Sequence, residues 1–444
     1  VDRVRRVLDI PRPRLLRICH GFARSLDDAV AGRPSALDAR PAHLHQLPTG
    51  AESGTYLAMD LGTSLIHVAC VSFFGGGLHE VQQVQHAIPE VIKTADADTF
   101  FHFLADVVEE ALRESGGLML SSMHLGVTWS FRLNQTALDD GTLVHWSKEF
   151  SVTGVEGKDV AALLQRALDH RGLGIKVAAM VNDSVSNLIA GAYSLPNPDC
   201  VMGSGTNAAY LERTSHADDK DACQGSARAL TIINTEWGDL MGVPLTPSTL
   251  SLLHHHQERG RGGTRIFERM VGAPYLGRIV GRIVTSLISN GELFCRLIEA
   301  LPNMAITFTI DELITIESDD TEKRIHIGDI VGRLFRLNPA DVCVVDRLLL
   351  QQVTRLVSGR AARLHAAAIA ALVAQLHRNG TVTTDAYPSV TIVVDGLLFR
   401  HYPQYRARLH DALQELIGEE AASALYLLPT HESAGCIGAA LAAL

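Results

Sequence analysis

Two spacings organise this chain. Short apolar runs that stop at small polar residues, at 56–61, 65–74, 123–129, 177–181, 230–233, 391–394 and 425–428, have the length and content of strands. Apolar positions three and four apart predict helices at 98–115, 160–168, 185–193, 266–288, 346–375, 405–417 and 434–444. Ahead of them, Leu15, Leu16, Ile18, Phe22 and Leu26 share one helical face, and Pro41 and Pro48 punctuate the stretch after it. Residues 1–50 therefore read as a docked helix and a connector. The first strand breaks at Gly62-Thr63-Ser64 and resumes at Leu65, which makes a hairpin, and 201–210 repeats the theme of strand, small-residue turn and strand. Strands alternating with helices predict α/β layers around a mostly parallel sheet.

Composition narrows the class. The 444 residues suffice for two or three domains. A net charge of −10 argues against a nucleic-acid partner, which would demand a basic surface. Seven scattered cysteines without a CxxC pair suggest reduced thiols and a cytoplasmic protein, not a zinc site or a disulfide framework. The basic N-terminus has no apolar segment behind it, so no signal peptide is expected. The most apolar run, 364–376, is shorter than a bilayer span and contains His365 and Gln375, so it is expected to be a core helix and not a membrane span. His254, His255 and His256 lie in a Gly-rich polar stretch and read as a solvated loop.

Candidate chemistry sits at the ends of elements. The run at 177–181 stops at Asn182 and Asp183, and a helix comes at once. A carboxylate there faces the crevice beyond the sheet, or it merely caps the helix, with Ser184 or Asp183 as cap. Ser130, Asn207 and Glu236 occupy other strand ends, and Glu268 a helix start. Such amides, hydroxyls and carboxylates suit a polyhydroxylated ligand, with one carboxylate left to take a proton. The Asp60-Leu61-Gly62-Thr63-Ser64 turn could present backbone N–H groups to a phosphate, with Asp60 towards a nucleotide's metal. No Rossmann fingerprint and no P-loop is present.

The blocks Leu125-Gly126-Val127-Thr128-Trp129-Ser130-Phe131, Trp146-Ser147-Lys148-Glu149-Phe150, Val181-Asn182-Asp183, Gly203-Ser204-Gly205-Thr206-Asn207, Ile233-Asn234-Thr235-Glu236-Trp237-Gly238, Phe267-Glu268-Arg269-Met270 and Val394-Asp395-Gly396 occur in family order. Through them the chain resembles the eukaryotic, fungal-type hexokinase family from about Leu15 to its end. The resemblance implies an α/β, actin-like (ribonuclease H-like) two-domain sugar-kinase fold with an interdomain cleft. It divides the chain into an N-terminal helix and connector (1–54), a small domain (55–181, with 430–444 returning to it) and a large domain (182–429). It also implies transfer of phosphate from ATP, carried with Mg2+, to the 6-hydroxyl of a hexose such as glucose, fructose or mannose. Asp183 would be the general base and Lys148 a second catalytic residue. Ser130, Ser147, Lys148, Asn182, Asn207, Glu236 and Glu268 would line the sugar pocket. Asp60, Gly62, Thr63, Ser64, Gly203, Ser204, Gly205, Thr206, Asp395 and Gly396 would hold the nucleotide, with no metal cage of protein ligands. Oligomeric state is left open.

The departures cluster on the nucleotide side. Thr63 replaces a Gly, Ser64 a Thr, Leu65 an Asn and His67 an Arg of the family's phosphate hairpin. A Gly at 63 would permit positive φ or close phosphate approach, and His67 replaces the Arg charge only when protonated. Arg132 stands for a Pro, Glu149 for a Gly and Arg278 for an acidic residue, and Glu432-Ser433-Ala434-Gly435-Cys436 replaces Asp-Gly-Ser-Gly. The competing expectation is accordingly a sugar-binding regulator with little or no turnover.

Overall fold

The computed structural model describes residues 2–114, 123–147, 150–195, 201–204, 206–214, 229–240, 265–295, 306–380 and 390–444. The chain forms two compact units. One comprises Val1–Asp38, Glu236–Gln375 and Gly396–Ala424, the other Ala39–Thr235, Leu376–Asp395 and Leu425–Leu444. These units reflect packing, and so cut the chain differently from the family-based ranges 55–181 and 182–429.

The first unit is helical: α1 (Asp2–Leu8), α2 (Arg12–Val30), α7 (Ile266–Val271), α8 (Ala273–Ser289), α9 (Ile310–Ser318), α10 (Ile325–Phe335), α11 (Val344–Arg378), α12 (Leu397–His401), α13 (Tyr405–Ile417) and α14 (Glu419–Ser423). As the periodicity predicts, α2 buries Leu15, Ile18, Phe22 and Leu26. Among the described residues α11 alone is long and apolar enough to cross a membrane, and 78% of that apolar window is buried within the protein. The expected helix over 266–288 is two helices, because Gly272 adopts an extended conformation between α7 and α8.

The second unit holds both large sheets. Its strands are β1 (Arg40–Pro41), β2 (Ser53–Leu61), β3 (Leu65–Phe74), β4 (His79–Ala87), β5 (Met123–Trp129), β6 (Leu133–Asn134), β7 (Thr142–Leu143), β8 (Ile175–Val181), β9 (Val201–Ser204), β10 (Ala208–Thr214), β11 (Ala229–Asn234), β12 (Val390–Val394) and β13 (Leu425–Pro429). One sheet has the order β4-β3-β2-β5-β8, another β1-β11-β10-β9-β12-β13, and β6 and β7 pair separately. The expectation of a mostly parallel sheet is corrected. Among the described residues only β2-β5, β5-β8, β9-β12 and β12-β13 run parallel, because strands joined by tight turns, such as β2-β3 and β3-β4, must pair antiparallel.

Helices α3 (Glu90–Lys93), α4 (Ala97–Glu114), α5 (Val160–His170), α6 (Asp183–Ser194) and α15 (Ala434–Ala442) complete this unit. Side-chain alternation along β2 sends Leu57, Met59 and Leu61 into a core with Phe100, Leu104, Val108 and Leu164, contributed by α4 and α5. It sends Ala58 to the opposite face, where a second core contains Val185, Leu188 and Ile189 of α6 and Ile437, Ala439 and Ala440 of α15. There α15 lies against β2, β5 and β8 on one side and α6 on the other, while α6 touches β9, β10 and β12.

Such thin layering requires small residues. A Cβ at Gly438 of α15 would fall well inside 3.0 Å of the Ser186 backbone in α6. Gly438→Ala should therefore lower stability by about 1–3 kcal/mol or prevent folding, since overpacking shifts two helices at once. A denaturant midpoint unchanged from wild type would refute this packing.

Candidate active site

The parallel strands β2, β5 and β8 end together. In register across them lie Asp60, Thr128 and Val181. Two residues beyond Val181, Asp183 opens α6. Its helix cap is Asn182, whose side chain accepts from the Ser184 amide at 3.0 Å. This corrects the expectation of Ser184 or Asp183 as cap. Capping by Asn182 leaves Asp183 in the first turn, where its Oδ1 accepts from the Ser184 amide at 2.8 Å. A helix N-terminus favours negative charge at that place.

Asn207, between β9 and β10, organises the neighbourhood. Its Nδ2 donates to Asn182 Oδ1 at 3.0 Å and to Asn234 Oδ1 at 2.7 Å. Its Oδ1 accepts from the Ala208 amide at 2.8 Å, while Thr235 Oγ1 gives its one proton to the Ala208 carbonyl at 2.9 Å. With both Nδ2 hydrogens engaged, Asn207 ties Asn182 to Asn234. Asn182 Oδ1 is held by two donors, which fixes the amide plane and turns Asn182 Nδ2 away from them. Sequence reasoning gave no role to Asn234 or Thr235, although both stand at the strand end beside Glu236.

Ser130 and Ser147 are fastened by rings. Ser130 lies between Trp129 and Phe131, and Ser147 comes directly after Trp146. Phe131 meets Trp146 edge-on at 4.8 Å, and Phe150 packs on Phe131 at 4.9 Å and on Trp146 at 5.6 Å. Trp146 is locked further by Nε1 donating to the Val152 carbonyl at 2.9 Å. Ser147 Oγ is buried without a hydrogen-bond partner among the described residues. A buried unsatisfied hydroxyl is costly, and a ligand hydroxyl would satisfy it. Lys148 and Glu149 lie outside the described residues, as do Gly205 and the His254, His255 and His256 stretch.

In the first unit, Glu236 and Glu268 flank an aromatic cluster that sequence reasoning did not anticipate. Phe22 of α2 packs edge-on against Trp237 at 5.5 Å and Phe267 at 5.7 Å. Each glutamate is thus the chain neighbour of one clamped ring. Glu236 holds the left-handed conformation, φ 48 and ψ 36, which is strained for a residue with a side chain. Glu268 is buried, and its Oε2 takes Nη1 of Arg265 at 2.9 Å. Arg278 is exposed one turn from Arg282, whose pKa is pushed down by burial and then by the charges of Arg278 and Arg269.

Of the nucleotide elements, the 62–64 turn is held by the Gly62 amide donating to the Leu65 carbonyl at 3.0 Å, and Thr63 and Ser64 are exposed. Thr63 is not among the residues with positive φ. Of the two roles a Gly could serve at 63, this backbone leaves close approach. His67 lies opposite Asp60 on β3, with Nε2 buried and unpartnered. Burial holds its imidazole below the usual value, so it carries no charge at neutral pH. Gly203 and Ser204 end β9, and Thr206 lies beyond the undescribed Gly205. Asp395 directly succeeds β12 and accepts from Thr430 Oγ1 at 2.7 Å, which ties the ends of β12 and β13. Gly396 has φ 112. Among the described residues no three His, Cys, Asp or Glu side chains gather where they could hold a metal ion.

Two family models described as "Hexokinase" match residues 1–193 and 199–444. The chain belongs to the hexokinase family. It is 32% identical to Hexokinase-1 of Oryza sativa subsp. japonica over 100% of this chain and 90% of that protein. It is 27% identical to Hexokinase-1 of Schizosaccharomyces pombe, with 99% and 89% covered. Among solved structures, a hexokinase from Schistosoma mansoni complexed with glucose superposes with a TM-score of 0.85 at 27% identity, covering 100% of this chain and 98% of that one. The fold is therefore the actin-like, two-domain fold of sugar kinases, as expected.

If Asn207 orients Asn182 in this hexokinase, Asn207→Ala should weaken hexose binding by about tenfold or more, because Asn182 would lose a fixed amide plane. Titration calorimetry with glucose measures this. Unchanged affinity would remove Asn207 from the site.

Proposed function

We propose that this hexokinase-family chain is an ATP-dependent hexose 6-phosphotransferase, accepting a sugar such as glucose, fructose or mannose. The observation that carries the reading is the common strand-end row. Asp183 and the phosphate hairpin of Asp60 rise from the carboxyl ends of β8 and β2, the parallel strands on either side of β5, which carries Thr128. A proton acceptor and a phosphate grip on one rigid sheet are what in-line phosphoryl transfer requires.

In this reading Asp183 accepts the proton of the sugar 6-hydroxyl as that oxygen attacks the γ-phosphorus. Asn182 Nδ2 and Ser147 Oγ hold sugar hydroxyls, with Ser130 as a further contact. By analogy with the family, Glu236 and Glu268 are further sugar-binding candidates, and Arg265 occupies Glu268 Oε2. Lys148 would supply positive charge by analogy with the family. The 62–64 turn, 203–206 and the 395–396 pair serve the nucleotide. Magnesium comes with the ATP and neutralises phosphate charge. We place the protein in the cytoplasm, where the thiols of Cys19, Cys70, Cys295, Cys343 and Cys436 would stay reduced.

A coupled ADP-release assay with each hexose tests the reading. Wild type should turn over, and Asp183→Asn should lose about 10²–10⁴-fold in kcat while still binding glucose. Full activity in Asp183→Asn would overturn the assignment of the base, and an inactive wild type the reading itself.

A further inference from the structure

Thr128 is an unexpected polar group for the centre of a sheet. It lies on the middle strand of the β2-β5-β8 set, fully buried, in register between Asp60 and Val181. Its hydroxyl reaches two helices at once. The Ser186 hydroxyl of α6, also fully buried, is 2.5 Å away, and the Gly435 carbonyl in the first turn of α15 is 2.8 Å away. Thr128 has one hydroxyl proton, and the Gly435 carbonyl can only accept. That proton therefore goes to Gly435, and Ser186 must donate to Thr128. The direction of the chain is fixed: Ser186 to Thr128 to Gly435.

Both ends of this chain bear on the proposed chemistry. Ser186 is one helical turn from Asp183, and its amide donates to the Asn182 carbonyl at 2.9 Å. Gly435 abuts Asp60 so closely that a Cβ there would overlap the Asp60 carboxylate. The next residue, Cys436, points its Sγ at the His67 carbonyl, 3.8 Å away, on the second strand of the phosphate hairpin. The first turn of α15 thus sits on the hairpin that would grip phosphate, and the first turns of α6 carry the base.

We infer that Thr128 is a positioning residue, whose paired hydrogen bonds to Ser186 and the Gly435 carbonyl set the distance between the Asp183 helix and the Asp60 hairpin. The inference rests on the phosphotransferase reading above. Thr128 touches no substrate, so its effect falls on the geometry of transfer and not on sugar affinity. In-line attack tolerates little displacement, and a shift near 1 Å costs on the order of a hundredfold in rate.

The test compares Thr128→Val, Thr128→Ser and Ser186→Ala with wild type and Asp183→Asn, each assayed well below its own melting temperature. Thr128→Val keeps the side-chain shape and removes the hydroxyl. It should lower kcat by about tenfold or more while the calorimetric glucose affinity stays within about twofold, and Thr128→Ser should restore kcat to within about threefold. Ser186→Ala, which leaves Thr128 bonded to Gly435 alone, should lose at least about threefold in kcat, and it decides the matter if Thr128→Val does not fold. A kcat within threefold of wild type in Ser186→Ala and in any folded Thr128→Val, even with a lowered melting temperature, overturns the inference and leaves the reading of Asp183 untouched. So does a Thr128→Ser variant as slow as Thr128→Val. An inactive wild type or a fully active Asp183→Asn removes the underlying reading and the inference with it.

Discussion

Close burial of a small-residue helix organises the second unit. The last helix, α15, lies between the five-stranded sheet and α6, and its Ala and Gly residues are what let three layers approach so nearly. At Gly438 the neighbour is backbone of α6, and at Gly435 it is the carboxylate of Asp60. Backbone cannot yield as a side chain can, so the Gly438 contact fixes the spacing of the two helices and does not merely fill space. The last segment of the chain thereby locks the first sheet to the helix that starts at Asp183.

Within each unit the other candidate residues are held by that lock or by separate clamps of the same kind. Asp60, Thr128 and Val181 are set by strand register, which a pleated sheet holds tightly because a one-residue slip would turn every buried side chain outwards. Ser130 and Ser147 are set by the Trp129, Phe131, Trp146 and Phe150 rings, and the segments of Glu236 and Glu268 by Phe22, Trp237 and Phe267. Apolar packing supplies the rigidity, and the polar groups are carried at its edges. In the proposed phosphotransferase the chemically weakest element is the 62–67 hairpin, where burial pushes the His67 imidazole down in place of a permanent charge.

Much of this was legible in the sequence. Strands 65–74 and 123–129 and helix 405–417 emerge directly from period and turn residues, and the Asn182-Asp183 pair marked the end of β8 and the start of α6. Strand β4 escaped because its His, Glu and Gln residues give an edge strand little apolar signal. Sheet direction was misjudged because alternation of elements says nothing about hairpins inside it. The cap at Asn182 is a two-residue contact that the run Asn182-Asp183-Ser184 left ambiguous, since each of the three can cap; the Asn207 bond to Asn182 spans 25 residues, and no local pattern encodes it. Thr128 looked like one residue of a family block; only register and burial reveal that its hydroxyl joins two helices.

The most direct test of the lock is hydrogen exchange coupled to mass spectrometry on the wild-type chain, with glucose and a non-hydrolysable ATP analogue added separately and together. If α15 couples the hairpin to the base helix, the nucleotide analogue should slow exchange in the 62–65 turn and also in peptides covering the start of α15 and of α6. Protection confined to the turn, with α6 and α15 exchanging as in the free protein, would contradict the account.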